Sequence, residues 1–273
     1  ADRAGVGAIR SLWLIATLQG RKDDVKKLLN LPDDAEAMGM IPIGGEKVMG
    51  GPPPLLNYAL IALNVLAFFL ELSQPSERAL QSFIMAWGVV PREYSSGHDI
   101  APLIPLPFWS TLVTSMFLHG GLMHVGGNML YLWIFADNVE DRFGHGRFIV
   151  FYLLCGIVAA LGQVAMDPES TLPTIGASGA IAGVMGAYFV LYPQSRVLTL
   201  IPLFFYFEII ELPAIFLLGF WFLMQLFSAG AIAATASSHG QGGVAFMAHV
   251  AGFAMGAITI FLFRKRPTPV EWT

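Results

Sequence analysis

Six stretches of apolar sequence approach or reach the length needed to cross a lipid bilayer, and they strongly limit how this chain can fold. A transmembrane helix needs about 20 predominantly apolar residues. The apolar stretches lie near residues 55–72, 121–136, 147–166, 178–192, 212–228 and 244–263. Charged residues make up only 12% of the 273 residues, whereas soluble domains have roughly 25%. The sequence therefore predicts an all-α, polytopic membrane protein with a bundle of six transmembrane helices.

Charge and cysteine content exclude several other classes of protein. The net charge is −4 and there is no basic stripe, which argues against a nucleic-acid partner. The single cysteine, Cys155, excludes a disulfide framework and a cysteine-based metal cluster. We therefore expect no nucleic-acid partner, and the lipid bilayer is the first expected partner. We also expect no cofactor and no metal. The sequence leaves the oligomeric state open.

The chain divides into a membrane region and two tails. In residues 1–51, charged residues alternate with Leu and Val around positions 21–27, which is typical of a short amphipathic helix in a cytoplasmic tail. A Gly-Gly-Pro-Pro-Pro run then breaks the chain,. Residues 52–266 form the predicted membrane domain, and residues 267–273 form a short cytoplasmic tail.

One of the apolar stretches contains more than a single transmembrane helix. The apolar stretch 197–227 is too long for one span, and Glu208, Glu211 and Pro213 divide it into an interfacial segment and the fifth span.

Lys and Arg favour cytoplasmic loops. Arg142, Arg147, Arg196 and the closing residues 264–266 all fall on the side of the two termini. We therefore expect both termini in the cytoplasm, in a bacterial inner membrane because no transit peptide is visible.

Ser178 lies at the start of the shortest predicted span, within the sequence Gly176-Ala177-Ser178-Gly179. A helix of about 15 residues measures about 22 Å, less than the bilayer core of about 30 Å. If its other end lies at the cytoplasmic boundary, Ser178 lies below the outer surface, in a wet recess of the protein. A serine there can act as a nucleophile beside a helix N-terminus, whereas in isolation it is more simply an N-cap.

His249 is the expected general base for this serine. It lies about five residues into the last span, at a depth similar to that of Ser178. Gly179 and Gly183 form a small-residue face on one span, and Gly252 and Gly256 continue a face from Ala248 on the other. Such faces let helix backbones approach closely, as a serine–histidine hydrogen bond requires. No Asp or Glu is placed to orient His249, so the sequence favours a dyad over a triad.

Three polar residues near the start of the second span complete the candidate site. His124 and Asn128 are spaced i, i+4 and therefore share one helix face,. Both can donate hydrogen bonds to an oxyanion, together with the backbone N–H of Ser178, although Asn128 can also serve as polar contact between helices. His119 lies at the corner before the span. It is expected to brace the first loop, the long connection between the first two predicted spans.

Taken together, these motifs resemble those of the rhomboid intramembrane serine proteases. His119-x4-His124-x3-Asn128, Gly176-Ala177-Ser178-Gly179 and Ala248-His249-x2-Gly252-x3-Gly256 occur in the expected order. The resemblance covers about residues 52–266 and implies a six-helix fold with Ser178 as nucleophile and His249 as base. It also implies cleavage of transmembrane protein substrates, a fifth helix that acts as a lateral gate, and loop 229–243 as a cap over the site.

Two positions depart from the family pattern. Trp109 is followed by Ser110, where many members have arginine, so the guanidinium that helps hold the first loop is absent. Some members have a tyrosine four residues after the serine, packed on the histidine, but that position is Ala182 here. We therefore expect Tyr188 or a neighbouring aromatic residue to hold His249.

Two alternatives to a serine protease are open. A catalytically inactive rhomboid-like scaffold that binds membrane clients would share the fold, although such proteins usually lack the serine or the histidine. A metalloprotease or metal transporter would have to use His119, His124 and His249. The sequence contains no H-E-x-x-H motif,, and transport is disfavoured because the ionisable candidates lie at one end of the bundle.

Overall fold

The computed structural model describes residues 40–48, 53–203, 206–235 and 245–263. Its helices are α1 (Leu55–Leu72), α2 (Glu77–Trp87), α3 (Pro91–Ser96), α4 (Thr111–Thr114), α5 (Leu122–Phe143), α6 (His145–Met166), α7 (Ser178–Leu191), α8 (Ala214–Thr235) and α9 (Phe246–Phe263). The described residues also form three strands: β1 (Ile41–Gly45), β2 (Arg196–Leu203) and β3 (Tyr206–Pro213). Short 3-10 turns at Phe108–Ser110 and Ser115–Phe117 flank α4.

The prediction of a mostly helical, apolar protein is confirmed. In the described part of the chain, four helices are long and apolar enough to cross a membrane: α1, α6, α8 and α9. The shorter apolar helix α7 has 14 residues, as expected for the span that begins at Ser178. Helix α5 occupies the position of the second predicted span but continues to Phe143 instead of ending near residue 136.

The prediction of an all-α fold is wrong, because the chain also forms a three-stranded antiparallel sheet in the order β1-β2-β3. The segment predicted as interfacial pairs with itself as a hairpin, with Val197 opposite Leu212 and Thr199 opposite Ile210. Strand β1 adds to it, with Ile41 opposite Leu200. Residues 41–45 are therefore bonded to the part of the chain that follows the predicted boundary at residue 52. The predicted amphipathic helix around residues 21–27 lies outside the described residues.

Helix α7 lies at the centre of the bundle, in contact with α5, α6, α8 and α9. Glycine makes this packing close: a Cβ at Gly252 would lie 2.1 Å from the carbonyl oxygen of Gly179, and one at Gly256 would lie 1.8 Å from that of Gly183. Larger residues at these positions would force the backbones of α7 and α9 apart. The small-residue faces therefore bring these two helices into direct backbone contact.

Buried polar residues join α5 to the neighbouring elements at the end of the bundle opposite Ser178. The Glu140 carboxylate accepts hydrogen bonds from the backbone N–H groups of Leu56 (3.0 Å) and Asn57 (2.8 Å) at the start of α1, and also contacts His145. The Asn138 side chain bonds the backbone of Glu46 and Val48 just after β1. These partners explain why α5 continues through a polar sequence.

Candidate active site

Ser178 and His249 form a hydrogen bond between the first turns of α7 and α9. The Oγ of Ser178 lies 2.8 Å from the Nε2 of His249. Ser178 does not act as an N-cap: Ala177 occupies that position, and no side chain of the described residues caps the helix. The two helices can come this close because Gly179 and Gly252, next to the pair, pack backbone against backbone.

His124 and Asn128 project from α5 towards the backbone just before Ser178. A Cβ placed on Gly176 would lie 2.8 Å from the Nε2 of His124 and 3.7 Å from the Nδ2 of Asn128. Gly176 also has a φ of +121°, which side-chain-bearing residues rarely adopt. Glycine is therefore required at position 176 both by its backbone conformation and by the two side chains that approach it.

The hydrogen bonds in this region determine which atoms of His124 and Asn128 can donate to a ligand. The backbone N–H of Gly120 donates to the Nδ1 of His124 at 3.2 Å, so Nδ1 carries no proton in the neutral ring and Nε2 is the donor. The Nδ2 of Asn128 is buried and has no hydrogen-bond partner among the described residues. Two N–H donors thus converge beside Gly176, close to the N-terminus of α7, where the first backbone N–H groups are free of intrahelical bonds.

The loop before Ser178 is held inside the protein by backbone hydrogen bonds. Val89 and Thr174 form an isolated antiparallel bridge, and the N–H of Gly176 donates to the carbonyl of Ser115 at 2.9 Å. These contacts fix the approach of the chain to α7. They satisfy polar backbone groups that would otherwise be costly to bury.

His119 braces the first loop through its backbone, and the brace involves a residue that the sequence analysis missed. Its N–H donates to both carboxylate oxygens of Glu71, at 3.0 and 3.2 Å, at the end of α1. The His119 ring packs edge to face on His124, with ring centroids 5.0 Å apart. His119 therefore supports His124 and does not join the Ser178–His249 pair.

The first loop is held without the arginine that many rhomboids have after the tryptophan. Trp109 is exposed, while the hydroxyl of Tyr94 donates to the Phe108 carbonyl at 3.0 Å and lies 2.7 Å from the Oγ1 of Thr111. The carboxylate of Glu93 accepts from the N–H of Ile100 at 3.0 Å, and burial raises its pKa above the ordinary value. Tyrosine and glutamate thus supply contacts within this loop.

Two residues of α8 that sequence reasoning missed hold the ring of His249. The Oε1 of Gln225 lies 2.7 Å from the Nδ1 of His249, and the Trp221 ring packs against the imidazole with centroids 5.6 Å apart. Of the two expected supports, Tyr188 is wrong, because its hydroxyl bonds Ser195 at the other end of α7, whereas the alternative of another aromatic residue is met by Trp221. Gln225 could have been identified from the sequence, because it is a single amide side chain within an otherwise apolar span.

The fold and the site together define a helical membrane protein that holds a serine and a histidine in hydrogen-bond contact. Residues 107–266, more than half of the chain, match the family model of the rhomboid domain. The chain belongs to the rhomboid family, as its motifs suggested. With its apolar helices, this makes it a multi-pass integral membrane protein.

Proteins of bacteria, yeast and human are similar to this chain. Rhomboid protease GluP of Bacillus subtilis is 36% identical over 135 residues, which are 49% of this chain and 24% of the relative. Rhomboid protein 1, mitochondrial, of Saccharomyces cerevisiae is 28% identical over 150 residues, 54% of this chain and 39% of the relative. Presenilin-associated rhomboid-like protein, mitochondrial, of Homo sapiens is 34% identical over 91 residues, 32% of this chain and 24% of the relative. The chain thus aligns with less than half the length of each.

Proposed function

We propose that this protein is an intramembrane serine endopeptidase that cleaves transmembrane proteins in or near their membrane-spanning segments with a Ser178–His249 dyad. The observation that carries the proposal is the 2.8 Å hydrogen bond between Ser178 Oγ and His249 Nε2. A serine hydroxyl is a weak nucleophile until a neighbouring base takes its proton. Family membership supports the choice of reaction, since the similar Bacillus protein is named a protease.

The dyad would cleave the peptide in two steps. Ser178 Oγ attacks the scissile carbonyl carbon while its proton passes to His249 Nε2, which gives a tetrahedral intermediate. His249 then protonates the departing amine, and the C–N bond breaks to leave an acyl ester on Ser178. Water attacks this ester with His249 again as the base, which releases the acid product and restores the serine.

The oxyanion of the intermediate would be bound by donors that converge beside Gly176. The Nε2–H of His124 and the unpartnered Nδ2–H of Asn128 approach this point from α5, and the Ser178 N–H lies at the N-terminus of α7. Donors held in place before the reaction stabilise developing charge without the cost of reorienting solvent. This role gives Asn128 Nδ2 the hydrogen-bond partner that it lacks among the described residues.

Substrate would enter the site from the lipid, between α5 and α8 of a bundle with six membrane spans. Ser178 and His249 lie on the first turns of α7 and α9, and α5 carries His124 and Asn128 on its first two turns. The predicted cap, loop 229–243, begins within α8, and its residues 236–243 lie outside the described part of the chain.

We further propose a bacterial inner-membrane location in which the end of the bundle with Ser178 faces outward and both termini are cytoplasmic. Arg142, at the end of α5, and Arg196, just after α7, mark the end opposite Ser178. Exposed acidic residues at the two ends provide a test: Glu169 before α7 and Glu211 in β3. With the buried Cys155 replaced by alanine, Glu169→Cys should react with an impermeant maleimide in intact cells. Glu211→Cys should react only after permeabilisation, and the reverse pattern would invert the topology.

The decisive test compares the purified parent with Ser178→Ala on a model transmembrane substrate reconstituted in lipid. We expect cleavage by the parent, none by Ser178→Ala, and parent-level cleavage by the control Ser73→Ala, whose serine is exposed at the end of α1. The parent should also react with a serine-directed fluorophosphonate. Equal cleavage by the parent and Ser178→Ala would refute the nucleophile assignment, and a parent that neither cleaves nor labels would be a scaffold. Cleavage that a strong chelator abolishes would indicate the metal alternative.

A further inference from the structure

The imidazole of His249 makes a side-chain hydrogen bond at each of its two nitrogens. Nε2 faces Ser178 at 2.8 Å, and Nδ1 faces the Oε1 of Gln225 at 2.7 Å. Gln225 is 3% exposed and lies near the middle of α8. The bond therefore links His249 to a different helix from the one that carries the serine.

The chemistry of the amide oxygen selects one tautomer of the ring. An amide oxygen can only accept a hydrogen bond, so Nδ1 must carry the proton in this contact. In the neutral ring the Nε2 lone pair is then free to accept the proton of Ser178. In the opposite tautomer Nε2 would carry a proton and could not act as a base towards the serine.

We propose that Gln225 is a positioning residue that fixes the tautomer and direction of the His249 ring. The inference rests on the proposed function, since it matters only if His249 acts as the base. Trp221 lies one turn earlier on the same helix and packs against the ring face, which restricts the tilt of the imidazole. Gln225 takes the place of the aspartate in a serine protease triad but has no charge, so it orients the imidazole without stabilising the imidazolium by a full charge.

The test separates the effect of the hydrogen-bond acceptor on Gln225 from the effect of its side-chain size. Gln225→Met keeps a long unbranched side chain but loses the acceptor, and Gln225→Glu keeps an acceptor of the same length. Each variant is reconstituted in lipid with a model transmembrane substrate and assayed at its own pH optimum. We expect Gln225→Met to lose roughly 10- to 100-fold in kcat, a part of what a positioned base contributes, while KM stays within about threefold.

Rescue by the conservative variant is the readout that a purely structural role would not produce. Gln225→Glu should recover at least about tenfold in kcat over Gln225→Met, because its carboxyl oxygen again accepts from Nδ1. Gln225→Ala repeats the comparison if methionine disturbs the packing of α8. Parent-level kcat in both Gln225→Met and Gln225→Ala, or equal losses in the methionine, alanine and glutamate variants, would overturn the proposal.

A Ser178→Ala sample in the same experiment distinguishes failure of this inference from failure of the proposed function. If Ser178→Ala abolishes cleavage while the Gln225 variants match the parent, only the positioning role is refuted. If Ser178→Ala still cleaves, the dyad itself is refuted, and the role of Gln225 falls with it.

Discussion

Gly252 is the residue at which a single added methyl group tests how the dyad is assembled. It lies on α9, three residues after His249, and faces Gly179, the neighbour of Ser178 on α7. In Gly252→Ala the new Cβ would lie 2.1 Å from the Gly179 carbonyl oxygen and 3.4 Å from the Cβ of Ala159. The first contact is with backbone, so no side-chain rotation can relieve it.

The size of the displacement follows from these distances. Ordinary van der Waals contact begins near 3.4 Å, so α7 and α9 must separate by about 1.3 Å, the difference between 2.1 and 3.4 Å. A shift of that size beside the pair should take the 2.8 Å contact between Ser178 and His249 beyond hydrogen-bond distance,. Such overpacking costs about 1–3 kcal/mol of stability. Loss of the aligned base costs about 10²- to 10⁴-fold in rate.

The assay measures kcat on a model transmembrane substrate alongside thermal unfolding in detergent. Gly146→Ala is the matched control, because a Cβ at that position, in the first turn of α6, meets nothing within 4 Å among the described residues and alanine is a better helix former than glycine. We expect parent-level activity in Gly146→Ala and a loss of at least about 100-fold in Gly252→Ala. Parent-level cleavage and an unchanged melting temperature in Gly252→Ala would refute the argument from backbone contact.

Three further variants test other parts of the structure. Asn128→Ala should lower kcat by roughly 10²- to 10³-fold with little change in KM, as removal of an oxyanion donor does; unchanged steady-state kinetics would contradict that role. Glu140→Ala should lower the free energy of unfolding by about 1.5–3 kcal/mol, because it leaves the N–H groups at the start of α1 without their charged acceptor, and denaturation in detergent would measure this. Tyr94→Phe should cost about 1 kcal/mol and speed proteolysis of the first loop, since the tyrosine hydroxyl bonds the Phe108 carbonyl; parent-like proteolysis would show that the bond does not hold the loop.

Apolar runs were sufficient to locate the long helices, because a membrane span is defined by its own composition. The prediction of 55–72 matches α1 residue for residue, and 178–192 is one residue longer than α7. The end of α5 was missed because Asn138 and Glu140 are polar, and their partners lie more than 80 residues earlier in the chain. Local pattern carries no signal for such distant partners.

The strands were missed for a related reason. Residues 196–213 are apolar enough to resemble part of a span, and only pairing with each other and with residues 41–45 makes them a sheet. Pairing is a property of two segments, so the composition of one segment could not establish it. In the candidate site, glycine spacing predicted the contact between α7 and α9, whereas the partner of His249 on α8 required the three-dimensional arrangement of a third helix.

The absence of a tyrosine at position 182 is compensated from a different helix. Ala182 is fully buried on a helix whose neighbouring Gly183 lies against the Gly256 backbone, so the side of α7 that faces α9 is packed with small residues. The ring of His249 is instead covered by Trp221 and bonded by Gln225, which lie one turn apart on α8. The distance between serine and histidine is thus set by α7 and α9, whereas the tautomer and tilt of the imidazole are set by α8. Under the proposed mechanism, a displacement of α8 alone would leave Ser178 and His249 within reach of each other but release the imidazole from the orientation in which it would accept the serine proton.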